Sequence, residues 1–385
     1  MPWSETTAVR ERVKLIGEFS DGFFSMTELS ELYGISRKTG YKWVERFERE
    51  GLEGLKDRSR APKSSPHQTP GEIVEGLLQT RRRHPTWGPK KLVAWLEDRR
   101  SELAWPAAST AGEILKRHGL VRGRPFRRRL EHPGRSLYQA LHPNDLWTGD
   151  FKGQFRTGDA RYCYPLTVAD SLSRYLLGCQ ALRSSGTKKS QLIFERLFRE
   201  YGLPRAIRTD NGAPFASVAI GRLSTLSVWW IRLGIHPVLI EPSHPEQNAS
   251  HERMHRTLKE ETARPPQANL AAQQKLFDRF RREYNEQRPH ESLGQKPPAS
   301  FYRPSPRPYP NRLPPLEYPG HFEIRRVGSN GCISWNSQWL HLTQALADQD
   351  VGLEEIDDGI WSIHFGTMLL GRFHQGEARL RGVHA

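Results

Sequence analysis

Asp150, Asp210 and Glu252 are three carboxylates whose settings suit the binding of divalent cations. Asp150 lies in the strand-like run Leu146-Trp147-Thr148-Gly149-Asp150-Phe151-Lys152-Gly153, and Asp210 ends an apolar run at Ile207-Arg208-Thr209-Asp210-Asn211-Gly212. Glu252 rides a helical pattern that follows a proline-containing turn. Two divalent ions about 3.5–4 Å apart demand several converging carboxylate oxygens, because hard cations prefer oxygen and a phosphodiester brings negative charge of its own. The chemistry suggested is a metal-dependent reaction on nucleic acid. Taken singly, each acid has a plainer use: Asp150 as a paired strand residue, Asp210 before Asn-Gly as a turn former, Glu252 as half of a helix-surface ion pair. A further acid, Asp170, ends a second strand pattern and is expected to shape the turn into Ser173-Arg174-Tyr175 instead of binding metal.

The charge balance suits a polyanionic partner. Lys plus Arg number 58 against 43 Asp plus Glu, a formal charge of +15. Residues 116–135 concentrate eight basic side chains, Arg127, Arg128 and Arg129 among them, against the single acid Glu131. Residues 330–385 reverse the balance, with seven acids against three arginines. The three cysteines, Cys163, Cys179 and Cys332, are far apart and form no Cys-x-x-Cys pair, so thiol and zinc chemistry are set aside. No apolar run is long enough to span a bilayer and the N-terminus lacks a signal-peptide pattern, which leads to the expectation of a cytoplasmic protein with no membrane partner.

The elements that must position these residues can be read from caps and periodicity. Ser25-Met26-Thr27-Glu28 fits a capping box, Gly34 breaks the helix, and Ser36 caps a second helix from Arg37 to about Glu50 with Val44 and Phe47 on one face. This is a helix-turn-helix outline. Arg37, Lys38, Thr39, Tyr41 and Lys42 are the side chains it would send into a major groove. A second helical unit has one helix opening at Trp87-Gly88-Pro89 and another closed by Gly119. From Asn144 the period changes: residues 145–155, 161–169 and 174–182 suggest an antiparallel meander. A helix capped by Thr187 follows, with Leu192, Ile193, Leu197 and Tyr201 as its stripe. Then come a strand over 205–209, helix over 214–234, a strand over 236–240 and a helix over 246–263. The product is a mixed α/β sheet flanked by helices.

The runs Trp147 to Gly153, Thr209-Asp210-Asn211-Gly212, His244-Pro245-Glu246-Gln247-Asn248-Ala249-Ser250-His251-Glu252-Arg253-Met254-His255-Arg256-Thr257-Leu258-Lys259 and Tyr284-Asn285-Glu286-Gln287-Arg288-Pro289-His290 together resemble bacterial insertion-sequence transposases with a retroviral-integrase-like catalytic core. The resemblance covers roughly residues 140–302. It implies a ribonuclease-H-like fold with an Asp-Asp-Glu triad, carried onto Asp150, Asp210 and Glu252 as catalytic and metal-binding residues. It further implies two Mg²⁺ ions per site, with Mn²⁺ able to substitute. Double-stranded DNA is the implied partner, as transposon ends and as target, handled by a homo-oligomer in the nucleoid of a bacterium. Forty-one residues separate Asp210 from Glu252, longer than in most relatives, and the surplus is expected within Gly221 to Trp230. The His-His-Cys-Cys zinc module of retroviral integrases is missing. His244, His251 and His255 are read as surface or turn residues without a metal-binding role. Helix periodicity places His255, Arg256 and Lys259 beside Glu252 as clamps on the DNA backbone.

After the core, eight prolines between Pro297 and Pro315 form a stiff connector, and strands are expected over 321–327, 332–336, 338–342 and 360–365, in a small β-barrel whose acidity favours a protein contact. The expected organisation is multidomain. All-α helix-turn-helix units occupy 1–56 and 71–122 with a linker at 57–70, and a basic linker spans 123–139. An α/β ribonuclease-H-like core occupies 140–302, a Pro-rich linker 303–319 and a small all-β domain 320–385. Two alternatives remain: a ribonuclease-H-like nuclease, and a catalytically silent DNA-binding regulator.

Overall fold

The computed structural model describes residues 6–59, 68–121, 138–217, 219–240, 245–376 and 380–382. Its contacts divide the chain into two units, Met1–Gln68 and Thr69–Ala385. The basic cluster Arg127, Arg128 and Arg129 and the expected turn residue His244 lie outside the described residues.

The first unit holds α1 (Ala8–Ser20), capped by Thr7, and α2 (Met26–Leu32) and α3 (Arg37–Glu50), which begin where the predicted caps Ser25 and Ser36 place them. Ser25 and Glu28 make the reciprocal capping box, and Ser36 accepts from the Thr39 N–H. Leu15, Ile16, Leu29, Trp43 and Leu55 form the core, with Val44 and Phe47 packed against it. A Cβ at Gly40 would collide with the Met26 side chain, so any larger residue there would require Met26 to move.

The second unit opens with α4 (Gly71–Arg83), α5 (Pro89–Arg99) and α6 (Ala108–Arg117), packed through Leu77, Trp87, Leu92, Leu96, Ala111 and Leu115. A mixed sheet follows: β1 (Leu146–Phe151), β2 (Phe155–Arg156), β3 (Tyr162–Asp170) and β4 (Leu176–Leu182). Then come α7 (Thr187–Tyr201), β5 (Ala206–Thr209), α8 (Thr225–Arg232), β6 (His236–Leu239), α9 (Ala249–Thr262) and α10 (Leu270–Glu286). β3 pairs antiparallel with β4 and β1, and β1, β5 and β6 are parallel neighbours.

Strand alternation assigns each face its cover. Trp147, Leu166, Val168 and Ile207 meet Phe194, Leu197, Phe198 and Trp230 of α7 and α8. Cys163, Ala169, Leu176 and Cys179 meet Met254, Leu258, Phe277 and Tyr284 of α9 and α10. Gly149 belongs to the first face, where a Cβ would lie 3.2 Å from the Phe194 ring. The turn between α4 and α5 rests on the same unit's last core helices: Arg288 pairs with Glu261 at 2.8 Å beside Thr86, and His84 reaches Glu283 at 2.8 Å.

Several local expectations are corrected. The 145–155 run is two strands, β1 and β2, both paired to β3. The N-cap of α7 is Gly186, not Thr187, and Leu192 is exposed while Phe194 and Phe198 take the buried stripe. Only 225–232 of the 214–234 stretch is α-helical, because Pro214 and a left-handed Gly221 interrupt it and the Ser224 cap restarts it.

The C-terminal strands are β7 (Glu323–Arg326), β8 (Cys332–Trp335), β9 (Gln338–His341), β10 (Asp350–Asp357), β11 (Ile360–Phe365), β12 (Met368–His374) and β13 (Arg381–Gly382). They form an antiparallel sheet in the order β13-β12-β11-β10-β7 and a separate β8-β9 hairpin. Among the described residues no pairing joins the two edges of that sheet, so the expected barrel is instead a sheet and a hairpin around one core.

Candidate active site

Parallel pairing brings the first two acids together. β1 and β5 run in register from Leu146↔Ala206 to Gly149↔Thr209, so Asp150 and Asp210 are the next residues on adjacent strands. Neighbouring strands lie about 4.8 Å apart, and the carboxyl ends of parallel strands are where open α/β sheets bind ligands. Asp210 leaves the strand into a turn in which the Gly212 N–H bonds its carboxylate and the Asn211 amide donates to the Ile240 carbonyl at 2.8 Å. Asp170 sits at the other end of β1, opposite Trp147. Its carboxylate accepts from the N–H groups of Asn144 and Ser173 at 2.8 Å and from the Ser173 hydroxyl at 2.6 Å, which occupies it in the turn.

Glu252 stands exposed in the first turn of α9. Burial raises Asp150 to about 7; the charge of Asp210, and more weakly that of Glu252, push the same way, against the Phe151 N–H and Lys152. Asp210 is raised as well, by desolvation of its carboxyl and against the Gly212 N–H. A buried carboxyl pushed toward its protonated form beside further acids matches what a hard divalent cation neutralises.

Beneath Asp150 lies a cluster that the sequence reading did not foresee. Asp150, His251 and His255 offer ligand atoms within 4.8 Å of one another, a group that does not include Asp210 or Glu252. Both imidazoles are nearly closed to solvent and are bonded to threonines: His251 to Thr148 at 2.8 Å and to Thr167 at 2.7 Å, His255 to Thr167 at 2.6 Å. Burial lowers His251 to about 3 and carries His255 further below the ordinary range, so both are neutral. His251 spends both ring nitrogens on hydroxyls. We therefore read the pair as support for Asp150 rather than as ligands. The expectation of surface histidines is thus corrected, and so is the placing of His255 beside Glu252 as a DNA clamp. Three residues along a helix is a rotation of 300°, enough to carry His255 over the edge onto the sheet-facing side. Arg256 and Lys259 do stay exposed on the Glu252 side.

Arg208 is another residue whose role was not foreseen. From β5 it donates to the Gln247 carbonyl at 3.0 Å and the Tyr138 carbonyl at 2.9 Å, tethering the lead-in to α9. In the first unit Arg37, Lys38, Tyr41 and Lys42 are exposed on α3, while Thr39 is half-buried with its hydroxyl 2.9 Å from that of Ser36.

Residues 140–245 match a family described as Integrase core domain, and 233–298 match a second family of that description. Residues 11–63 match a Helix-turn-helix domain and 39–115 a Homeodomain-like domain. The chain carries an integrase core and helix-turn-helix domains. The chain is also similar to insertion-element proteins. An uncharacterized 39.2 kDa protein of insertion element IS476 from Xanthomonas euvesicatoria is 34% identical over 181 residues, 46% of this chain and 50% of that protein. An uncharacterized 31.7 kDa protein of IS407 from Burkholderia multivorans is 28% identical over 160 residues, 41% and 55% of the two chains. The chain thus spans about half the length of these curated relatives, and the expected kinship with insertion-sequence proteins is borne out. Among solved structures, the HTLV-2 integrase catalytic core domain in complex with magnesium has 14% identity and a TM-score of 0.35, covering 43% of this chain and all of that one. A simian T-cell lymphotropic virus intasome has 17% identity and a TM-score of 0.38, covering 76% and 97%. No helix among the described residues is long and apolar enough to cross a membrane.

Proposed function

We propose that this protein is a DNA transposase that binds transposon ends, cuts them and joins the freed 3′-hydroxyl to target DNA. The observation that carries this reading is the adjacency of Asp150 and Asp210 at the ends of two parallel strands, with the charge of Glu252 also acting on Asp150. Asp150, Asp210 and Glu252 would hold two Mg²⁺ ions, with Mn²⁺ as substitute, which when bound would activate the attacking oxygen and stabilise the leaving one.

The protein's own residues hold and orient. In the first reaction water attacks a phosphodiester at the transposon end, the bond to the 3′-oxygen breaks, and that oxygen leaves with a proton. In the second the same 3′-hydroxyl loses its proton and attacks a target phosphorus, displacing the target's 3′-oxygen. No protein nucleophile is needed. Arg256 and Lys259, exposed on the Glu252 side of α9, would hold phosphates of the incoming strand, and Arg37, Lys38, Thr39, Tyr41 and Lys42 would read the end sequence. Arg127, Arg128 and Arg129 are assigned to phosphate contacts by charge alone. In this reading 1–56 and 71–122 recognise DNA, 140–302 catalyses, 320–385 contacts a partner protomer, and the protein works as a homo-oligomer on DNA.

Incubating the full chain with labelled end DNA, target DNA and Mg²⁺ tests the proposal. Joined products support it. Cleavage without joining would indicate a nuclease, and binding without either reaction would indicate a silent regulator.

A further inference from the structure

The four side chains under Asp150 are placed by simple periodicities. Thr148 lies two residues before Asp150 on β1 and so shares its face of the sheet. Thr167 is the register partner of Asp150 on β3. His251 and His255 are four residues apart on α9 and face the sheet together, their rings 4.7 Å apart and nearly perpendicular.

Each hydroxyl has one proton, and each neutral imidazole has one N–H and one lone pair. The contacts run Thr148 Oγ to His251 Nδ1 at 2.8 Å, His251 Nε2 to Thr167 Oγ at 2.7 Å, Thr167 Oγ to His255 Nε2 at 2.6 Å, and His255 Nδ1 to Asp150 Oδ2 at 3.6 Å. With Asp150 ionised and both rings neutral, a single direction leaves every step donor to acceptor. Thr148 donates to Nδ1 of His251, whose Nε2–H donates to Thr167. Thr167 then donates to Nε2 of His255, whose Nδ1–H faces the carboxylate. The reverse direction would set the His255 lone pair against the charged oxygen. The last contact exceeds hydrogen-bond length, so that N–H acts on Asp150 as an oriented dipole. Longer contacts from Thr148 to the Ala169 carbonyl, 3.3 Å, and from Thr167 to the Asp150 carbonyl, 3.2 Å, compete for the same hydroxyl protons.

We propose that Thr148, His251, Thr167 and His255 form a one-way hydrogen-bond relay that orients the Asp150 carboxylate, which makes the two histidines positioning residues of the active site. The inference rests on the assignment of Asp150 to that site. The relay faces Oδ2 of Asp150. It also sets opposite tautomers in two histidines one helical turn apart, which burial alone would not do.

Two measurements on the full chain test it. In metal-free, ¹⁵N-histidine-labelled protein held above the Asp150 titration, two-bond ¹⁵N–¹H correlation should show His251 as the Nε2–H form and His255 as the Nδ1–H form, the signals assigned by His251→Asn and His255→Asn spectra. The same tautomer in both rings overturns the relay. Thr167→Val keeps the shape of the side chain and removes its hydroxyl. It should abolish the His255 Nδ1–H signature and raise the Mg²⁺ concentration that half-saturates end cleavage by roughly tenfold or more, with Thr167→Ser restoring both. Wild-type Mg²⁺ dependence in Thr167→Val overturns the positioning role. Asp150→Asn separates the two claims: if it cleaves normally, the functional reading fails while the tautomer result stands; if it is inactive and Thr167→Val is normal, the relay alone fails.

Discussion

The core sheet and the C-terminal sheet both carry acids at strand positions, yet only one gathers them. β10 holds Asp350, Glu354, Glu355 and Asp357. Asp350 pairs with Arg326 at 3.1 Å, Glu354 with His321 at 3.3 Å, and Glu355 accepts from the Gly359 N–H at 3.1 Å, each with its own partner near the surface. In the core, among the described residues, no lysine or arginine is paired with Asp150 or Asp210, the His255 ring facing Asp150 is held neutral, and the charge of Asp210 raises the cost of ionising Asp150. Connectivity explains the difference. Antiparallel neighbours run head to tail and leave the residues after their ends at opposite edges, whereas parallel neighbours end side by side. A count of acids would have favoured the wrong sheet.

The largest test of this contrast is activity. Asp150→Asn, Asp210→Asn and Glu252→Gln should each abolish cleavage and joining with end binding nearly intact, while Asp350→Asn with Glu354→Gln leaves both reactions at wild-type rate. Wild-type joining by any of the first three removes that residue from the site.

Stability against pH should differ next most. Asp150 keeps its proton in the metal-free fold up to about pH 7, against 3.8 for the ordinary carboxyl. Between those values the folded state binds more protons than the unfolded one, so stability falls as pH rises through this window, and the whole penalty is present above it. Asp150→Asn should therefore stabilise the metal-free chain above pH 7 by up to about 4 kcal/mol and change nothing below about pH 4. Urea titrations in chelator at both ends of the window measure it, and an equal effect at both would refute the burial account.

A smaller effect is expected from the exposed side of α9. Arg256→Ala with Lys259→Ala should weaken DNA capture, flatten its salt dependence by up to about two counterions and slow joining, with the melting temperature unchanged. An unaltered salt slope would take this face out of the DNA path. Smallest of all, Asp350→Asn should shift stability by less than about 1 kcal/mol, since its partner Arg326 is itself exposed. A larger loss in chemical denaturation would show that the C-terminal acids are more than surface pairs.

Local signals in the chain were legible where one residue type has one backbone use. Ser25, Ser36, Pro89, Gly119 and Gly202 start or stop helices as caps require, and the apolar runs of β1, β3, β4 and β5 mark the central strands. β10 and β12 were missed because Gly352 and Gly371 and the charged residues beside them dilute the alternation, while pairing to β11 on both sides supplies the order that propensity lacks.

Sequence alone determined the order of the elements and the helix-turn-helix outline and nominated the three acids, since caps, period and motif spacing are properties of neighbours along the chain. Tertiary structure alone decided which side of α9 faces the sheet. Glu252, Arg256 and Lys259 turn outward and His251 and His255 inward because Met254 and Leu258 must bury against β3 and β4, and the helix rotates to satisfy them. That rotation carries the histidines to Thr148 and Thr167, on strands separated from α9 by up to 103 residues, a meeting that no local pattern encodes.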